Sequence, residues 1–212
     1  MFTKSIATVC VALMASVAIA AEKAPATQGS ASASNQSVME IRRVMAQAAD
    51  RALHKDAVKQ VLEMVNKVDR DRIEKGLVKG DDAAYQAISD KVLKTWKDKY
   101  GKDFNAEGHV DTLGDLNVIV TGEGKDAKAH INLPAEPGEN AYELHLMREK
   151  NGFWRIELPD TLDGKTFSQK LMAAVQNVED TKDKLPGAMR KGYQRVTTQL
   201  LQEMAFPSSE TK

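Results

Sequence analysis

Cysteine is almost absent from these 212 residues: the single one is Cys10. It lies inside an apolar run near the N-terminus, whereas a lipoprotein signal places its cysteine after such a run. The chain beyond that run therefore offers no disulfide framework, no thiolate nucleophile and no thiolate metal ligand. Excess charge is missing too. Thirty basic residues balance thirty acidic ones, so the basic face of a general nucleic-acid binder is not expected, nor is binding to acidic lipid. After residue 20 no apolar run is long enough for a membrane span, so no transmembrane anchor is expected in the mature chain. There is no G-x-S-x-G, P-loop, dinucleotide fingerprint or H-E-x-x-H. No motif implies a cofactor, and none identifies an enzyme.

What is present begins with a leader. Met1 to Lys4 carries one positive charge, Ser5 to Ala20 is an uncharged run of 16 residues, and Ala18-Ile19-Ala20 is a small-x-small cleavage pattern. This reads as a secretory signal peptide over residues 1–20, cut after Ala20 with Ala21 as the alternative. A cysteine-free exported chain points to a bacterial periplasmic or secreted protein. Residues 21–212 number 192, enough for one core that buries roughly 70% of the unfolded chain's surface. Residues 21–36 are mostly alanine, serine, proline and glycine, which cannot build a core and read as a disordered spacer. A single domain is expected over residues 37–205, with 206–212 as a disordered tail.

Helical periodicity fills the first half. Ser37 to Glu40 forms a capping-box pattern, followed by a stripe of Val38, Ile41, Met45 and Ala48. The period slips between Arg51 and Asp56 and resumes at Val58, Val61, Leu62, Val65 and Val68. Asp69-Arg70-Asp71-Arg72 alternates in sign and reads as a solvated helix surface, with Asp71 able to pair with Lys75. Gly76 and Gly80 bracket the end of that helix. Asp81 or Asp82 starts the next, whose stripe is Tyr85, Ile88, Val92, Trp96 and Tyr100, stopped by Gly101. Lys91, Lys94 and Lys97 fall on its solvated side. After the strands, Asp163 or Thr166 begins a helix bearing Phe167, Leu171, Ala174 and Val178. A last helix opens near Pro186 and carries Met189, Tyr193, Val196, Leu200 and Met204.

Between residues 114 and 158 the period is two, which predicts a four-stranded antiparallel meander with one buried face. The fold class is therefore α+β, with helices before the sheet and further helices packed on one sheet face after it. Pairing Val118 with Ala129 also sets Leu116 against Ile131. Pairing Ile131 with Leu144 sets Leu133 against Tyr142. A two-residue Asn151-Gly152 turn would put Leu146 opposite Glu157, turning every side chain to the wrong face. A bulged turn with Gly152 left-handed instead sets Leu146 against Ile156 and Leu144 against Leu158.

The second of these registers places His130 directly opposite His145 on the outer face, close enough to share a metal. Such a site needs a third protein ligand, and Glu143 is the nearest carboxylate. The alternative is an ordinary polar sheet face. His54 falls at a helix break and His109 in a loop. Tyr142 and Trp154 belong to the buried side of the meander and Trp96 to a helix stripe. These three are the candidate ligand-binding side chains, in a pocket formed by sheet and helices. The run Gly152-Phe153-Trp154-Arg155-Ile156, closing a meander that follows helices, resembles the hairpin end of secreted members of the cone-shaped α+β superfamily named after nuclear transport factor two. The resemblance covers about residues 56–158. It implies a curved sheet whose concave side can become a pocket, and it transfers no catalytic residue.

The expected function is a non-enzymatic envelope module that binds an apolar small molecule, a lipid or a partner chain. The alternatives are a protein-interaction scaffold of the envelope and a metal-dependent hydrolase built on the histidine pair.

Overall fold

A computed structural model describes residues 35–78, 82–134 and 141–207. The expected signal peptide, nearly all of the spacer, Gly80, Asp81, most of the turn after Pro134, and the tail from Ser208 lie outside the described residues. Within them the chain is α+β. Helices α1 (Asn35–Ala52), α2 (Ala57–Leu62), α3 (Lys67–Lys75) and α4 (Asp82–Tyr100) precede strands β1 (Val118–Thr121), β2 (Lys128–Leu133), β3 (Tyr142–Arg148) and β4 (Trp154–Glu157). Helices α5 (Gly164–Asp180) and α6 (Met189–Gln202) follow, and a short strand β5 (Phe206–Pro207) ends the described chain. None of the described helices is long and apolar enough to cross a membrane.

The apolar stripes become the core. Ile41, Met45, Ala48 and Ala52 of α1 are fully buried, as are Phe167 and Leu171 of α5 and Tyr193, Val196 and Leu200 of α6. Helices α1 and α6 meet the inner sheet face, where Ala129, Ile131, Leu144, Leu146 and Ile156 are also fully buried. All belong to one continuous apolar cluster. Helix α1 begins two residues before the expected Ser37 start, so Ser37 sits in its first turn. The slip after Arg51 is a real break: Asp56 is left-handed at φ 58° just before α2.

The helix expected through Val65 and Val68 is instead two helices. Between α2 and α3 the chain straightens, and Val65 forms a parallel bridge with Ile156. The Ile156 amide donates to the Met64 carbonyl at 2.9 Å, and the Asn66 amide donates to the Ile156 carbonyl at 3.0 Å. Asn66 then caps α3 by accepting the Asp69 amide at 3.0 Å. Val68, expected in the apolar stripe, is 78% exposed.

Nor is the Asp69–Arg72 run wholly solvated. Asp69 accepts the Leu158 amide at 2.8 Å and the Arg72 guanidinium at 2.8 Å. Arg72 also donates to the carbonyls of Pro159, Asp160 and Leu162. Asp71 does face solvent, but its partner is Lys67 at 2.5 Å and not Lys75.

The four strands pair in chain order, all antiparallel. The β2–β3 register is the expected one, with His130 opposite His145 and Ile131 opposite Leu144. The bulged register between β3 and β4 is also observed. Leu146 faces Ile156, and Gly152 is left-handed at φ 87°. The first pair differs by two residues: Val118 faces Ile131 and Val120 faces Ala129. Because the shift is even, each side chain keeps its expected face. The residues before β1, expected to begin the sheet at 114, form a 3₁₀ segment over Glu107–Asp115. Its first amides, Ala106 and Glu107, both donate to Asp50 of α1 at 2.7 Å. Pro186 is not in the first turn of α6, which starts at Met189. It lies before the helix, where its carbonyl accepts the Tyr100 hydroxyl. Phe206 and Pro207, expected in the tail, pair with Glu143 and Tyr142 of β3.

Candidate functional site

Two features outside the packed core have the makings of a site. The first is a cavity of about 780 Å³ bounded by α2, α4, α5 and the residues after α3. Apolar side chains form most of its wall, among them Val58, Leu77, Val78, Tyr85 and Met172. Lys55, Asp56, Lys59 and Asp82 also line it, so cations and anions are evenly matched there. Tyr85 is buried, its hydroxyl donates to the Ala52 carbonyl, and burial pushes its phenol well above the usual range. It therefore presents a neutral ring. Leu77 and Val78 are 37% and 62% exposed. The volume falls within the ~300–1,000 Å³ typical of small-molecule sites.

The second feature is on the outer sheet face. Alternation along β2 and β3 turns His130, Glu143 and His145 away from the core, each partly buried. The Glu143 carboxylate lies between the two imidazoles, 3.5 Å from His130 Nδ1 and 2.9 Å from His145 Nε2. The ring centroids are 4.4 Å apart. Phe206 of β5 stacks on His145 at 4.2 Å with an interplanar angle of 18°. Lys128, on the same face, is engaged with Glu157 at 3.1 Å.

The expected ligand-binding side chains fall elsewhere. Trp96 is 1% exposed at the centre of an aromatic cluster with Tyr100, Phe104 and Tyr193. Trp154 is 2% exposed on the inner sheet face, with the Arg148 guanidinium over its ring at 6.0 Å. Tyr142 is half-buried against the core. None of the three lines the cavity, which sits among helices and not over the sheet. The physical reason is that, among the described residues, α1 packs on β4 and α6 on β3 across the inner sheet face. His109 stacks on Tyr193 at 4.3 Å, and His54 is exposed in the break after α1.

No family model, curated protein or solved structure matches this chain. What it does must be argued from its own chemistry, since a fold alone fixes no function.

The cavity residues carried one sequence signal, the aliphatic pair Leu77-Val78 set between two glycines. Phe206 carried none, because its role depends on a strand of two residues.

Proposed function

We propose that the protein is exported to the bacterial periplasm or secreted, and acts there without catalysis, binding an apolar small molecule or lipid in the cavity between α2, α4 and α5. The observation that carries this reading is the cavity itself: a largely apolar wall, balanced charges and adequate volume. Burying an apolar ligand against such a wall gains about 25 cal/mol per Å² of apolar surface. The mixed charges give no preference for a strongly anionic or cationic ligand. The leader over residues 1–20 supports export, and the lack of cysteine after it suits an oxidising compartment.

One preparation tests both halves. Native mass spectrometry of the exported fraction is expected to show a chain beginning at Ala21 or Glu22 that carries a co-purifying ligand. The delipidated chain should bind a neutral fluorescent probe such as N-phenyl-1-naphthylamine. Val58→Asp sets a charge in the apolar wall and should weaken that binding by about tenfold or more, since an unpaired charge facing an apolar ligand is costly. No ligand and no probe binding would favour the envelope scaffold. An intact Met1 in the membrane fraction would remove the export half.

A further inference from the structure

The outer sheet face lies apart from the helix-walled cavity and asks for a different ligand. We propose that His130, Glu143 and His145 form a site for a divalent transition-metal ion, with Zn²⁺ as the reference ion. The backbone register sets the three together: His130 and His145 are paired directly across β2 and β3. Glu143 is two residues before His145 on the same strand, which puts it on the same face and diagonal to His130. One ligand atom from each residue lies within 4.8 Å of the others. Donors around a zinc ion sit ~2.0–2.2 Å from it. Closing the site from its present spacing therefore takes side-chain rotation and no movement of strands.

Three further observations favour an ion over a simple imidazole–carboxylate pair. A pair needs one histidine, yet the Glu143 carboxylate faces two, one toward each oxygen. The side chains are only 21–32% exposed, so they are not freely rotating surface groups. The Phe206 ring lies flat on His145 and covers one side of the cluster.

Two imidazole nitrogens and one carboxylate oxygen suit zinc and its neighbours in the first transition row. Calcium and magnesium prefer all-oxygen shells. Three protein ligands leave a fourth position for water or an outside donor. The proposal concerns ion binding and does not depend on the apolar cavity, so either can fail without the other.

The test uses the untagged mature chain and Zn²⁺ alone, followed by calorimetry, with Co²⁺ absorption reporting the ligand geometry. One ion per chain is expected. Glu143→Gln and His145→Ala should each weaken binding by about tenfold or more, as loss of even outer partners costs ~10–100-fold at such sites. Glu143→Gln is nearly isosteric and guards against a folding defect in His145→Ala, with far-ultraviolet circular dichroism as the check. His54→Ala should leave affinity unchanged. No binding, binding that survives both variants, or equal competition from Mg²⁺ would overturn the proposal.

Discussion

Gly152 and Gly164 both need to be glycine, for reasons of different kinds. Gly152 is left-handed at φ 87°, and a Cβ added there would meet nothing within 4 Å. The only penalty for a side chain is backbone strain, about 1 kcal/mol or more for Gly152→Val. Gly152→Asn should cost much less, because asparagine tolerates the left-handed region. Gly164 has an ordinary backbone, but its Cβ would lie 2.3 Å from the backbone of Gly76 and Leu77 at the end of α3. Gly164→Ala must push α5 off α3, at about 1–3 kcal/mol. Chemical denaturation of the three variants checks the pattern. A Gly152→Asn as damaging as Gly152→Val would sink the strain account. The two positions also differ in legibility. Gly152 announces itself through Asn-Gly and the parity of the flanking strands. Gly164 does not, because the segment it touches is remote in sequence and no local pattern records it.

Among elements, those whose identity depends on local period were readable and those set by long-range partners were not. The meander and its inner face follow from alternation alone. The β1 register differs by two residues from the expected one, since alternation fixes only the parity of a pairing. The chain spends residues 122–127 on a loop with a 3₁₀ turn at Gly124–Asp126. The split between α2 and α3 was hidden for a similar reason: Val65 fits a helical stripe, and only Ile156 draws it into a bridge. Helix starts vary likewise. Asp163 was one of two candidates for the α5 cap, and it accepts the Thr166 amide at 2.7 Å. That bond holds its carboxyl below the ordinary value of 3.8. A depressed folded-state value means the cap contributes fully above 3.8 and fades as pH falls through the lower value. Asp163→Ala should therefore lower the melting temperature at pH 7, and the gap from the parent should close in acid. A gap independent of pH would show that the carboxylate is not the cap.

For the molecule as a whole, the question is what joins the helical half to the sheet. Part of the candidate chemistry was readable at this scale, because the β2–β3 register alone put His130 beside His145. The cavity was not, since it is bounded by segments that no sequence period relates. The joint between the halves is hidden in the sequence, where Asp69 and Arg72 read as members of a solvated run. In the fold Asp69 takes the Leu158 amide, the Asn66 side chain and the Arg72 guanidinium together. Arg72 in turn donates to four carbonyls after β4, those of Leu158, Pro159, Asp160 and Leu162. The same α3 borders Gly164 and α5, so this one network fixes how the chain leaves the sheet and re-enters the helices. Removing its centre should loosen both halves at once. Asp69→Ala strips the acceptor from a buried amide and leaves the guanidinium without its carboxylate, costing about 3 kcal/mol. Asp69→Asn keeps an oxygen for the Leu158 amide and should cost less. Native-state hydrogen exchange locates the effect: in Asp69→Ala, protection should fall in α3, in β4 and at the start of α5 together. Loss confined to α3 would mean that the network merely decorates that helix, and that the halves are joined by apolar packing alone.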